Sequence, residues 1–207
     1  ASWGDEPPIG YDATPEVRGW GRVYVYFGTK GRGLAPTPDA TIETRDDLTL
    51  LGEVLEVVNG SLFVGAPQSS FAGSRQPEDA IKRGAVFAFD ASATRYAGAT
   101  LDARRDADWW LEGPENFDMF GAAIAGADLA DGRRLLLVGA PGHRAAGNGS
   151  VGRVYAYDRA ATANEPLFTL TGSEHPAEFG GGLAVSSAAR EPVSAAREPV
   201  SAAREPV

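Results

Sequence analysis

A three-part motif recurs along this chain, and a recurring unit constrains a fold more than any composition does. Phe120-Gly121 leads through Asp128-Leu129-Ala130-Asp131-Gly132 to Leu137-Val138-Gly139-Ala140-Pro141, and Gly152-Arg153-Val154-Tyr155-Ala156-Tyr157-Asp158 follows. An earlier copy reads Leu51-Gly52, then Leu62-Phe63-Val64-Gly65-Ala66-Pro67, then Gly84-Ala85-Val86-Phe87-Ala88-Phe89-Asp90. Self-similarity at such a period marks one supersecondary unit used several times.

Three segments share a strand pattern: Arg22 to Phe27, Ala85 to Phe89 and Arg153 to Tyr157. Each follows a glycine (Gly21, Gly84, Gly152) and alternates Val or Ala with an aromatic. Successive side chains on a strand point to opposite faces, so the aromatics line one face and the smaller residues the other. Both sets are apolar, which predicts sheets covered on both sides. The glycines stand 63 and 68 residues apart, room for four short strands and their turns. Glu53 to Val58 and Ser61 to Val64 flank Asn59-Gly60, a two-residue hairpin signal. Ala122 to Ala127 and Leu135 to Val138 are the matching pair one repeat later. Gly-Ala-Pro closes the second strand both times, because Pro cannot donate to a ladder. Fourth strands are expected at Asp108 to Glu112 and at Leu167 to Thr171, and Phe179-Gly180 opens another repeat that runs to Ser186.

Four antiparallel strands repeated radially describe the blades of a β-propeller. The expected fold is all-β: a partial propeller over residues 20–186, with two full four-stranded blades and parts of two more. A closed ring needs about four to eight blades, so this length accounts for part of one. Residues 1–19, rich in Pro, Gly and acid, read as a loosely held lead-in. Ser-Ala-Ala-Arg-Glu-Pro-Val occurs three times unchanged over 187–207. Pro at every seventh position stops a helix, and bulky apolar residues are nearly missing, so a disordered C-terminal tail is expected.

Composition narrows the chemistry. The chain has no cysteine, hence no disulfide framework and no thiolate metal site. A net charge of −9 speaks against nucleic acid and anionic membrane surfaces as partners. No apolar run approaches the ~20 residues of a membrane helix, so direct membrane insertion is not expected. The sequence opens at Ala1 without a charged-then-apolar leader, as expected where a signal peptide is absent or already removed.

Taken in order, Phe-Gly, Gly-Ala-Pro and Gly-x-Val-Tyr-x-Tyr resemble the FG-GAP repeat of integrin α-subunit propellers. They resemble more closely the C-terminal propeller of glycosylphosphatidylinositol-specific phospholipase D. Gly21 to Gly31, followed by Pro38-Asp39-Ala40-Thr41-Ile42, is similar to the end of one such repeat, while the next copy departs by carrying Leu51 in place of Phe. The resemblance covers residues 20–186. It implies an extracellular or secreted propeller, often calcium-binding, that recognises a protein or glycan ligand. In the phospholipase the hydrolytic site lies in a separate zinc-dependent, histidine-rich domain, and nothing in this sequence corresponds to it. Two functions follow as expectations. One is a non-catalytic recognition or adhesion module. The other is the accessory propeller of such a hydrolase, its catalytic domain lying outside this chain. Open blade edges would favour self-association.

The resemblance also points to a calcium loop between the first and second strands. Calcium takes six to eight oxygen ligands, so a short loop must supply several carboxylates and carbonyls. The matching loop is Asp128 to Leu135. Asp128, Asp131 and Gly132 fit, but the middle carboxylate is missing, Leu135 stands where the last Asp belongs, and Arg133 and Arg134 oppose a cation. Asp128 and Asp131 are the candidate calcium ligands; the alternative is an Asp-Gly hairpin turn that needs no ion. In the earlier copy, Gly52 to Gly65 is 13 residues against 18 from Gly121 to Gly139, and the tight Asn59-Gly60 turn replaces the loop.

Other residues carry less. His143 and His175 lie in loops without a partner at metal-ligand spacing and read as surface histidines. Asp106, Asp108, Glu112 and Glu115 surround Trp109-Trp110, an arrangement open to a sugar site or to tryptophans packed between blades. Gly180-Gly181-Gly182 lacks the Lys-Ser/Thr of a phosphate loop. No catalytic constellation emerges. Asn59 and Asn148 both head glycosylation acceptor triplets; Asn59 sits in a tight turn, which leaves Asn148 as the candidate. The loops 68–83 and 142–151 join the same two strands in successive units and are expected on one rim. There Arg75, Glu78, Asp79, Lys82, His143 and Arg144 are placed to meet a ligand.

Overall fold

The computed structural model describes residues 2–3, 21–28, 33–44, 49–58, 60–69, 82–91, 96–129, 132–145, 149–159, 164–173 and 178–185. The tail at 187–207 therefore lies outside the described residues. The strands are β1 (Ser2–Trp3), β2 (Gly21–Val25), β3 (Ala40–Glu43), β4 (Val54–Val58), β5 (Ser61–Ala66), β6 (Ala85–Asp90) and β7 (Ala99–Asp102). After a single helical turn, α1 (Ala103–Asp106), come β8 (Trp109–Glu112), β9 (Ala123–Asp128), β10 (Arg134–Ala140), β11 (Arg144–Ala145), β12 (Gly149–Ser150), β13 (Arg153–Asp158) and β14 (Phe168–Thr171). Over the described residues the fold is all-β and propeller-like, built from three four-stranded sheets and a short ribbon, β11-β12.

The second sheet, β4-β5-β6-β8, and the third, β9-β10-β13-β14, are the two full blades expected from the repeat. Each is antiparallel throughout. Val58 pairs with Ser61, so β4 and β5 are joined across two residues, of which Asn59 lies outside the described residues. The fourth strands fall at Trp109–Glu112 and Phe168–Thr171, within the expected spans.

The first sheet, β1-β2-β3-β7, departs from the expected half-blade. Ser2 of the lead-in pairs with Arg22. At the other edge β7 lies parallel to β3, with Ala40 opposite Ala99 and Glu43 opposite Asp102. In sequence β7 belongs to the link between β6 and β8 of the second sheet. The chain therefore leaves the second sheet, adds a strand to the edge of the first, and returns through α1. That strand covers the row of backbone donors and acceptors β3 would otherwise present. Asp102 makes the return tight: its carboxylate accepts from the N–H groups of Arg104 and Arg105, at 3.1 and 2.9 Å, and its own N–H donates to Asp106 at 2.8 Å.

Two cores lie between the three sheets. The first contains Val23, Ile42, Leu51, Val64, Phe87 and Phe89, and the second contains Phe63, Val86, Phe120, Leu136, Tyr155 and Tyr157. The alternation on β6 and β13 decides which residue goes where. Phe87 and Phe89 face back to the first core, while Val86 and Ala88 face forward to the second; Tyr155 and Tyr157 again face back. Aromatics thus fill the space behind each blade, and the small residues leave room for the next repeat. Trp110 packs on the first core and its neighbour Trp109 on the second, so the tryptophans are packing residues that serve both interfaces. The acids beside them are engaged: Asp108 accepts from the Asp90 N–H and the Tyr96 hydroxyl, and Asp106 pairs with Arg105.

The motif itself is explained by contacts between blades. The residue ahead of each Phe-Gly or Leu-Gly pair is left-handed: Leu50 (φ 53°), Met119 (φ 54°) and Glu178 (φ 45°). The glycine of the pair is left-handed too, at φ 87°, 90° and 88° for Gly52, Gly121 and Gly180, which a residue without Cβ adopts at no steric cost. The turn closes identically each time, from Glu53 N–H to Leu50 O, Ala122 N–H to Met119 O and Gly181 N–H to Glu178 O. Leu51 therefore stands where Phe120 and Phe179 stand. A Cβ on Gly65 would strike the carbonyl oxygen of Gly121, and one on Gly139 that of Gly180. Phe-Gly and Gly-Ala-Pro recur together because they are the two sides of one backbone contact.

Candidate functional site

Two loops meet at one edge of the interface between the second and third sheets. After β10, Pro141 turns the chain so that the His143 N–H donates to Ala140 O at 3.2 Å. The N–H groups of Val151 and Gly152 return to His143 O at 2.9 and 3.1 Å. The other loop leaves β8 at Gly113 and is held against the first where the Gly142 N–H donates to Asp118 O at 3.0 Å. Both loops are anchored by backbone hydrogen bonds, so their side chains are carried on fixed supports.

Five side chains converge there. His143 Nδ1 lies 3.0 Å from Asp118 Oδ1, and the Tyr155 hydroxyl donates to Asp118 Oδ2 at 3.2 Å. Glu115 Oε2 stands 4.0 Å from the same His143 Nδ1, and Glu115 Oε1 stands 3.9 Å from an Arg153 guanidinium nitrogen. Asp118 and His143 are each 1% exposed, while Glu115 opens to solvent. At the rim, Arg144 stacks over Phe117 at 5.3 Å, and Arg83 Nε donates to Asn116 at 3.0 Å. Phe117 holds a left-handed backbone (φ 68°) while remaining exposed, which sets it out from the loop toward solvent.

Electrostatics follow from burial. Burial pushes the Asp118 carboxyl above the ordinary aspartate value, and the hydrogen bond from His143 works against that rise. Burial, then the neighbouring Asp118 charge, raise the Tyr155 phenol well beyond its ordinary range, and burial alone does so for Tyr157. Among the described residues, Glu115, Asp118 and His143 are the cluster of possible metal ligands, with donor atoms that all lie within 4.8 Å of one another.

The expectation of a surface His143 is thereby corrected. Its side chain is buried, and its partner lies 25 residues earlier in a different loop. Residue spacing missed the pair because the two loops are brought together only by stacking of the blades. One signal was available. Superposing the repeats motif by motif places Ser69 at the position of His143 through Gly-Ala-Pro, Thr49 at that of Asp118 through the Leu-Gly and Phe-Gly pairs, and Phe87 at that of Tyr155 through Gly84 and Gly152. The structure bears the alignment out: the Ser69 N–H donates to Ala66 O, the Gly84 N–H to Ser69 O and the Gln68 N–H to Thr49 O. Thr49 and Ser69 are buried, and neither hydroxyl has a hydrogen-bond partner among the described residues. One interface closes with small hydroxyls and a phenylalanine, the other with an ionisable triad.

The other sequence candidates lie elsewhere. Asp128 ends β9 opposite Arg134, and Asp131 is outside the described residues. Around them the Gly132 N–H donates to Leu129 O at 2.9 Å and the Leu129 N–H to Arg133 O at 2.8 Å, closing a hairpin turn. This loop precedes β10 and His143 follows it, so the strand's length of about 20 Å separates them. Asn148, His175, Arg75, Glu78 and Asp79 are outside the described residues. Lys82 is exposed where the 68–83 loop rejoins the sheet.

No protein-family model matches the chain. Among curated proteins it is similar to human phosphatidylinositol-glycan-specific phospholipase D, 31% identical over 186 residues that cover 79% of this chain and 20% of the human protein. The bovine protein of the same name is 33% identical over 132 residues, covering 58% of this chain and 14% of its own length. That of Dictyostelium discoideum is 29% identical over 135 residues, covering 59% and 13%. The chain thus spans about a fifth or less of the relatives it matches. It is homologous to a segment of phosphatidylinositol-glycan-specific phospholipase D.

Proposed function

We propose that this chain is an accessory propeller segment of a phospholipase D-like hydrolase that acts on phosphatidylinositol-glycan anchors. In this reading its blades are of FG-GAP type and its role is recognition, with bond cleavage performed by a domain outside residues 1–207. The observation that carries the reading is the similarity, over 79% of the chain, to the human protein of that name. The packing supports a scaffold role, since the aromatic and glycine positions of the repeat are used for contacts between blades. The rim that holds Glu115, Phe117 and Arg144 is the surface assigned to the ligand, which is a protein or a glycan. Secretion, a glycan on Asn148 and calcium at Asp128 and Asp131 belong to the same proposal. No described helix is long and apolar enough to cross a membrane. Phe168 and Leu170 stand about half exposed on β14, an apolar outer strand suited to a further blade of the parent protein.

The test compares the chain with the complete product of its gene on a glycosylphosphatidylinositol-anchored reporter. The chain alone is expected to release none of it. The complete protein is expected to release it, with KM raised when residues 20–186 are removed. Turnover by the chain alone, or a complete protein without this activity, overturns the reading. A free-standing adhesion module is then the surviving alternative.

A further inference from the structure

We propose that Glu115, Asp118 and His143 form a binding site for one zinc-class divalent ion, tying the loop after β8 to the loop after β10. The donor atoms are already assembled. His143 Nδ1 stands 3.0 Å from Asp118 Oδ1 and 4.0 Å from Glu115 Oε2, and all three lie within 4.8 Å of one another. Ligands bonded to a tetrahedral ion at about 2.0–2.2 Å sit about 3.3–3.5 Å apart, so the adjustment is a few tenths of an ångström at Asp118 and somewhat more at Glu115. Glu115 is half exposed and has room for the larger movement, while burial limits Asp118 and His143 to the smaller one.

Three observations carry the site. Two carboxylates converge on one imidazole nitrogen, and an ion between them relieves their like-charge crowding. Tyr155 donates to the second oxygen of Asp118, the kind of outer bond that orients a ligating carboxylate. The preceding interface closes with Thr49, Ser69 and Phe87 at the positions of Asp118, His143 and Tyr155, so the fold does not require ionisable groups there.

The donor set selects the ion. One imidazole nitrogen with two carboxylate oxygens suits zinc-class ions, whereas calcium calls for six to eight oxygens. Two carboxylates balance the dipositive charge when His143 binds through an unprotonated Nδ1, its ring proton residing on Nε2. A fourth position remains on the solvent side beside Glu115. Arg153, 3.9 Å from Glu115, competes for that carboxylate, so its removal is expected to tighten binding.

The full chain, stripped with a chelator, is dialysed against zinc chloride and analysed for bound metal and thermal stability. One equivalent bound with a raised Tm is expected. Glu115→Gln is expected to weaken binding about tenfold or more while leaving the metal-free Tm unchanged. Arg153→Ala is expected to strengthen binding, and His175→Ala to leave it intact. The proposal is overturned if the chain takes up no zinc, if Glu115→Gln binds as the parent does, if His175→Ala abolishes binding, or if calcium binds in place of zinc.

Discussion

His143 Nδ1 lies 3.0 Å from Asp118 Oδ1, with both side chains no more than 2% exposed. Removing one member of such a pair leaves the other buried and short of a partner. His143→Ala is therefore expected to cost about 2–3 kcal/mol in urea unfolding. The triple variant Asp118→Thr, His143→Ser, Tyr155→Phe restores the set that closes the preceding interface and is expected to stay within about 1 kcal/mol of the parent. A triple variant less stable than the single one would show that the two interfaces are not interchangeable.

Phe120 is 0% exposed, with its ring edge-on to Tyr155 at 5.5 Å and to Tyr157 at 6.1 Å. Phe120→Ala is expected to destabilise the chain by about 3–5 kcal/mol through lost burial and the cavity left between blades. A chemical denaturation midpoint that does not move would remove Phe120 from the core of that interface.

Gly139 faces the backbone carbonyl of Gly180, while Gly182 has nothing within 4 Å. Gly139→Ala is expected to cost about 1–3 kcal/mol by forcing two blade backbones apart. Gly182→Ala is expected to stay within about 0.5 kcal/mol of the parent. Equal thermal shifts for the two would deny the close approach at Gly139.

These residues also show what a sequence can carry. The alternation of Val or Ala with aromatics on β6 and β13 announced both the strands and their two buried faces, because a period of two is local to the chain. Gly-Ala-Pro and Phe-Gly were legible as markers, although their contact with each other lies in the next repeat. β7 was not legible. Its four residues hold too little periodicity, and its partner β3 lies 59 residues earlier in register. The pairing of Asp118 with His143 was hidden for the same reason, since the angle at which blades stack is written in neither loop.

Tyr155 and Tyr157 are both held protonated by burial, above the ordinary tyrosine value of 10.0 that the unfolded chain retains. A folded value raised above the unfolded one gives stability that is complete below pH 10 and lost as pH rises beyond it. The unfolded chain then releases protons that the folded chain keeps. Each tyrosine is expected to contribute a fall of as much as about 1.4 kcal/mol per pH unit above that point. Urea midpoints between pH 8 and 11 check this, with Tyr157→Phe flattening part of the fall; stability independent of pH through this range would contradict it.

The parallel pairing of Ala40–Glu43 with Ala99–Asp102 bears on how such a chain is divided or recombined. A graft cut at the sequence boundary between residues 44 and 50 would carry β3 away from the strand that borders it and leave two edges open to other chains. The exchangeable module is offset from the sequence repeat. A transplanted blade must bring the 91–107 link of its successor, or its neighbour arrives with an unguarded seam.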